Sequence, residues 1–386
     1  MFSFSYLRRT LIECRTAIDS KLSSLHCYRT RAAKSKEQES VIVSYLVDSC
    51  GLSREKAISA SKFVTLGSTE RANSVLALLR SHGFGETDIE KLISKHPALI
   101  MADPEKNLKP KIAYVESLGI LAPDLPKVLC ANTQILLRNL NTHVIPTFDF
   151  LRGFLETSED LVYALKQSTR VIRCNAEEIM MPNIDTLLAN GVSKSLVGRL
   201  IMLKPQSLMW RADLFSEMIN EIKGMGFEPK TKKFVLAVRS MATVSKATWE
   251  RKKELLMSFG WSENVFSTAF KVQPMLMLCS ESKIKELMDF SMKAGLQPSD
   301  ISKCPNLFLA SLERRIMPRY FVLKTLISEG LIRKDVDLVW PLNASKTSFE
   351  KKFIAEFEKD VPQLIKAYRG ECKFEGFSQF FESKLS

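Results

Sequence analysis

A glycine followed by an apolar residue recurs at a nearly fixed interval, and no other feature limits the possible folds of this chain as much. The pairs are Gly83-Phe84, Gly119-Ile120, Gly153-Phe154, Gly191-Val192, Gly226-Phe227, Gly260-Trp261, Gly295-Leu296 and Gly330-Leu331, spaced by 36, 34, 38, 35, 34, 35 and 35 residues. Eight of the fifteen glycines lie on this register, which scattered glycines would rarely do. Glycine takes the left-handed conformation just past a helix end at little cost, and the apolar residue after it packs back on the last turn. Each pair therefore predicts one helix stop per unit, and an internal repeat of this length takes precedence over any local reading.

Two further marks divide each unit. Pro97, Thr133, Pro205, Ser240 and Pro274 lie fourteen residues after their glycines, with Thr169 sixteen on and Pro305 ten on in two other units. Pro110, Pro146, Pro182 and Pro318 lie thirteen residues beyond the second mark. Proline fits the first turn of a helix, where no amide donor is needed, so the third mark predicts a helix start. Between glycine and second mark the pattern is also helical. Thr87-x-x-Glu90 reads as a capping box ahead of Ile89, Leu92 and Ile93, and Ser193 and Ser262 each precede an amphipathic run. Strand signals are almost absent. The expected unit is helix, short irregular or 3₁₀ turn, helix, glycine. About eight such units stacked side by side give an all-α solenoid with a continuous core between neighbours.

Charge points to the partner. Lysine and arginine exceed aspartate and glutamate by thirteen, at a pI near 9.3, which favours a polyanion. No apolar run is long enough for a membrane span, so no membrane partner is expected. The eight cysteines contain no Cys-x-x-Cys pair and the four histidines complete no zinc-ligand spacing. Buried thiols in a reducing compartment are expected, with no metal or other cofactor. Residues 1–36 differ from the rest. They carry eight basic residues against Glu13 and Asp19, with Leu7, Leu11, Ile18, Leu22 and Leu25 on one helical face. That is the pattern of an organellar transit peptide, here expected to be mitochondrial with the chloroplast as the alternative. Residues 37–370 then form the repeat domain and residues 371–386 a tail.

Several segments resemble the mitochondrial transcription termination factor (mTERF) family in its plant form. They are Tyr45-Leu-Val-Asp-Ser-Cys-Gly-Leu-Ser53, Thr248-Trp-Glu-Arg-Lys252, Phe259-Gly-Trp-Ser262, Ser311-Leu-Glu-Arg-Arg-Ile-Met-Pro-Arg319 and Ala367-Tyr-Arg-Gly370. The resemblance runs from about residue 41 to 370. It implies a curved helical solenoid in mitochondria or chloroplasts whose basic groove binds double-stranded DNA or RNA. The roles implied are transcription, its termination, intron splicing or ribosome assembly. Thr133, Thr169 and Ser240 depart from the family's proline and put the local turn in doubt. The pentatricopeptide class has a similar period, and Phe215 to Pro229 looks like one of its repeats, but a recurring proline in mid-repeat would break a two-helix unit.

No nucleotide-binding loop, nucleophile elbow or zinc-protease motif occurs, and Glu177 and Glu178 fall on a polar surface, so an enzyme is not expected. No small-molecule substrate is expected either. The candidate contacts are basic: Lys106, Lys109, Lys111, Arg138, Arg170, Arg173, Lys204, Arg211, Arg239, Lys246, Lys271, Arg314, Arg315 and Arg319. Equivalent positions line one face of a solenoid, so these charges would form a phosphate-neutralising stripe. Arg315 and Arg319, four apart, would share a helix face and could follow one backbone. Trp210, Trp249 and Trp261 sit where packing is expected. The reading is a monomeric regulator of organellar transcription that grips double-stranded DNA in a basic groove. RNA binding in splicing or ribosome assembly is the alternative within that class, and a protein-interaction scaffold the alternative outside it.

Overall fold

The structure, a computed structural model, describes residues 36–167 and 171–369. The expected transit segment, the mark at Thr169, the candidate Arg170 and the tail lie wholly or almost wholly outside these residues. The described residues are helical and contain no strand, so the fold is the all-α helical repeat. They form two compact units, 36–217 and 218–369. No helix among them is long and apolar enough to cross a membrane.

In the N-terminal unit one repeat runs Glu86–Lys95, the 3₁₀ turn Pro97–Met101 and the helix Lys109–Ser117 before Gly119. The 3₁₀ turn recurs at Val171–Arg173 and Pro205–Leu208, and in the C-terminal unit at Pro274–Leu278 and Pro305–Leu309. Ser193 and Ser262 cap their helices as read, each hydroxyl accepting the amide three residues on at 3.3 Å. Thr87 does not. That helix starts one residue earlier at Glu86, and Asp88 Oδ2 accepts the Gly85 amide at 3.2 Å.

Glycine stops most units. Gly226 has φ +84°, the Gly226 amide donates to Lys223 O at 2.8 Å and the Phe227 amide to Ile222 O at 3.4 Å. This is the paired bond pattern of a Schellman cap. Gly51 adds a stop ahead of the first one read from the sequence, with φ +70°. Gly153 is the exception, because it stays right-handed at φ −57° and merely extends Ile145–Arg152. Gly226→Val should cost on the order of 1–2 kcal/mol or more, because a β-branched side chain resists that conformation. Its Cβ would also lie 3.2 Å from Lys271 Nζ. Hydrogen exchange should rise in that repeat and its neighbours; unchanged exchange would remove the glycine stop.

Two turns differ from expectation. At Ser240 no 3₁₀ turn forms: Lys232–Thr243 runs straight through and Ser245 caps the next helix. Thr133 leads a single α-helical turn, Gln134–Leu137. Without proline the helical amide is available, so the chain need not break. The third mark stands in a first turn as read at three of its four positions: Pro110, Pro146 and Pro318 are each the second residue of Lys109–Ser117, Ile145–Arg152 and Met317–Ser328. Asp103, Asn139 and Ser311 cap these helices seven residues before Pro110, Pro146 and Pro318. The turns between, Pro104–Leu108, Leu140–Val144 and Leu312–Ile316, are π-helical. Proline lacks an amide and its ring would strike the carbonyl four residues back, and the wider turn relieves both. Pro182 instead sits inside Ala176–Ala189.

The core is apolar and aromatic within each unit. Tyr114 meets Phe148 edge-on at 5.8 Å in the N-terminal unit. In the C-terminal unit Trp249 meets Phe270 edge-on at 5.1 Å, and Phe270 meets Phe227 at 5.5 Å. Trp249 and Trp261 are buried and Trp210 half-buried, as their positions imply. Cys50 and Cys279 are buried free thiols, while Cys130, Cys174 and Cys304 are half-buried. Burial pushes the Cys50 and Cys130 thiols up to about 11, which keeps them protonated and inert.

Candidate nucleic-acid interface

In the N-terminal unit the candidate cations lie on either side of the caps that start the second long helix of each repeat. Asp103, Asn139 and Asn175 stand at equivalent positions in the N-terminal unit, each accepting the amide three residues on. Near them lie Lys106, Lys109, Arg138 and Arg173. Lys106 and Arg173 are exposed. Arg138 is half-buried, and its Nη2 donates to the Arg173 carbonyl at 2.8 Å, at the end of the next repeat's turn. Arg173 also acts on His96. Burial first, then Lys95 and Arg173, push that imidazole below its usual range, so it adds no charge at neutral pH. Two exposed candidates face carboxylates, Lys109 with Glu105 at 2.7 Å and Arg211 with Asp213 at 2.5 Å. Pairs this exposed are worth little and a phosphate could displace the carboxylate. Lys204 is half-buried at the end of Lys194–Leu203.

In the C-terminal unit Lys271 and Arg314 are exposed, and Arg239, Lys246 and Arg315 half-buried. Lys246 lies close to Glu221, whose carboxyl burial raises to about 7 against the lowering effect of that lysine. Placing cations at helix N-termini opposes the helix dipole, yet Lys106, Lys246 and Arg314 all stand in a first turn. Amide groups and cations there favour the same ligand, an anion.

Two expected contacts prove to be internal. Lys111 is 5% exposed and its Nζ donates to Leu136 O at 2.5 Å and to Asn107 Oδ1. Arg319 is 2% exposed and its Nη1 donates to the carbonyls of Pro341, Leu342 and Ala344 at 3.2, 3.1 and 2.5 Å. Arg315 does share that face, but its Nη2 also turns inward, to Asn343 O at 2.7 Å and Ala344 O at 2.8 Å. The two side chains follow the next repeat's backbone instead of a nucleic acid's.

This role recurs. Asn183 Nδ2 donates to Leu208 O at 2.9 Å and Trp210 O at 2.7 Å, and Lys252 Nζ to Met277 O at 2.7 Å. In the repeat where Thr147 occupies the position, His143 reaches Ile172 O at 2.6 Å from one turn earlier. Each side chain ties a helix to carbonyls at the end of the following turn. The sequence carries a signal for them. Lys111, Thr147, Asn183 and Arg319 directly follow the third-mark prolines, on the same helical phase as the buried Val115, Leu151, Leu187 and Leu323 four residues on. A polar residue on the apolar phase is a buried donor, not a surface charge.

The described geometry is that of an all-helical repeat protein with internal polar ties and basic residues at its helix starts. The mTERF family matches this sequence over residues 76–301 and 230–350, and the chain belongs to that family. It is also 20% identical over 240 residues to transcription termination factor MTERF8, chloroplastic, of Arabidopsis thaliana. That match covers 59% of this chain and 46% of the relative, so it spans about half of that protein's length.

Proposed function

We propose that this protein binds nucleic acid inside an organelle and regulates transcription or its termination by gripping double-stranded DNA. The observation that carries the reading is the recurrence of exposed cations around the helix starts of the repeats, Lys106 and Arg173 in the N-terminal unit and Arg314 in the C-terminal unit. Family membership supports it, and so does the relative's name. The mechanism is phosphate neutralisation without covalent chemistry. The contacts proposed are Lys106, Lys109, Arg138, Arg173, Lys204, Arg211, Arg239, Lys246, Lys271 and Arg314.

If about six phosphates are engaged, raising salt from ~50 to ~200 mM should weaken duplex binding by about 10³. Replacing Lys106, Arg173 and Arg314 together with alanine should flatten that slope by roughly one to three units. Melting should be unchanged, because all three side chains are exposed. Titrating duplex DNA and organellar RNA in parallel tests this. Failure of both to bind better than micromolar at ~50 mM salt would pass the function to the scaffold reading.

The relative's name favours the chloroplast over the mitochondrion expected from the leading segment. A reporter fused behind residues 1–36 should therefore light plastids. Mitochondrial fluorescence would restore the original expectation, and a diffuse cytosolic signal would remove the organellar assignment.

A further inference from the structure

Three successive turns of the C-terminal unit carry side chains that the phosphate mechanism does not use. The turn Pro274–Leu278 packs against Pro305–Leu309, which packs against Val339–Asn343. Gln273, Cys304 and Trp340 each directly precede the proline of their turn. Trp340 is 47% exposed, whereas Trp249 and Trp261 are 6% and 4% exposed. Lys352 Nζ lies 4.6 Å from the Trp340 ring centroid and 5.7 Å from that of Phe353. Phe353 itself is 6.3 Å from Trp340 and tilted by 57°. The indole is thus fixed in place by a cation and a second ring while almost half of it faces solvent.

Beside it, Gln273 Nε2 donates to Asn306 Oδ1 at 2.6 Å, and Gln273 Oε1 accepts the Met275 amide at 3.3 Å. With its oxygen occupied, the exposed Asn306 retains its amide N–H groups as donors. Lys271 and Lys303, at the ends of the helices Glu263–Val272 and Pro298–Lys303 that lead into the first two turns, and Lys352 on Glu350–Ile354 are exposed. A tryptophan face, oriented amide donors and cations around them suit a strand whose bases are unpaired. Bases stack on aromatic rings at no cost in sequence tolerance, amides bond base edges and lysines hold the phosphates.

We infer that this edge of the C-terminal unit, resting on the nucleic-acid reading above, binds a single-stranded nucleic acid, with Trp340 stacking on one base and Asn306 donating to an adjacent base edge. A duplex keeps its base faces covered and gains nothing from Trp340.

The test is fluorescence anisotropy of the full chain with three labelled probes: a 12-nucleotide RNA, the same DNA single strand and a 20-base-pair duplex. Trp340→Ala should weaken both single strands by roughly 5- to 150-fold and the duplex by less than about twofold. Asn306→Ala should weaken the single strands by roughly 2- to 10-fold. Trp340→Phe should recover most of the loss, and the salt slope should stay at the wild-type value, because no charge is removed. A difference between the two single strands would identify the sugar that the edge prefers. Equal losses on all three probes, or a fall in melting temperature with them, would make Trp340 a packing residue and overturn the inference. Duplex binding by the wild type without single-strand binding would overturn it alone. Absence of all binding would remove the nucleic-acid function as well.

Discussion

Arg319→Ala should lower the free energy of unfolding by about 3–5 kcal/mol, although the arginine lies in a basic stretch of the chain. Its guanidinium is the donor to three carbonyls at the end of Val339–Asn343 and stacks 4.7 Å from the centre of the Phe349 ring. Alanine would leave buried carbonyls short of donors and open a void against Phe349. Each unsatisfied buried group costs roughly 1–3 kcal/mol. Arg315 keeps its bonds to Asn343 and Ala344, so part of the tie would survive. Arg319→Lys should lose markedly less, since Lys111 and Lys252 perform the same task with an ammonium group. Denaturant melts of the three proteins decide the matter. An alanine variant as stable as wild type, but with a flatter salt slope in DNA binding, would return Arg319 to the nucleic-acid surface.

Gly198→Ala should cost about 3 kcal/mol, even though alanine is the better helix former by roughly 1 kcal/mol. Gly198 lies in Lys194–Leu203 with no room for a side chain: a Cβ there would stand 2.2 Å from the Phe154 carbonyl oxygen and 3.3 Å from its carbon. The obstacle is backbone, which cannot rotate away as a side-chain tip would, so helix and loop must separate and both lose packing. Gly224 supplies the control. It closes the helix Ala212–Gly224 with nothing within 4 Å of the site of a Cβ, so Gly224→Ala should be neutral or stabilise by up to about 1 kcal/mol. A Gly198→Ala protein that melts with the wild type would show that the segment around Phe154 moves aside without cost.

The candidate site was only partly legible in the sequence. Counting basic residues by phase along the repeat picks out Lys106, Arg173, Lys271 and Arg314, which the fold leaves exposed. The same count takes in Lys111 and Arg319, which the fold buries. Charge alone does not separate the two groups, because a buried lysine or arginine bonded to carbonyls looks, as a letter, like one bonded to water. Lys252, in the run Arg251-Lys252-Lys253 that reads equally as a solvated helix face, is one of the ties. Position against the apolar phase does separate them, and Val115 four residues after Lys111 and Leu323 four after Arg319 give the clue.

The sequence by itself determined the helical repeat, its period, most of its stops and the family. These depend on local rules: glycine's left-handed conformation, a hydroxyl or carboxamide accepting the amide three residues on, and proline's missing donor all act within a few residues. Tertiary structure alone decided the rest. Gly153 keeps a right-handed conformation, and Phe154 next to it presents its carbonyl to Gly198. Ser240 disappears into a continuous helix. Arg319 turns inward while Arg314 stays in solvent. Each of these depends on a partner 20 to 50 residues away in sequence or on the absence of a single proline. Whether a charge is available to a ligand is settled by which carbonyls the neighbouring repeat leaves unpaired, and a repeat period carries no record of that.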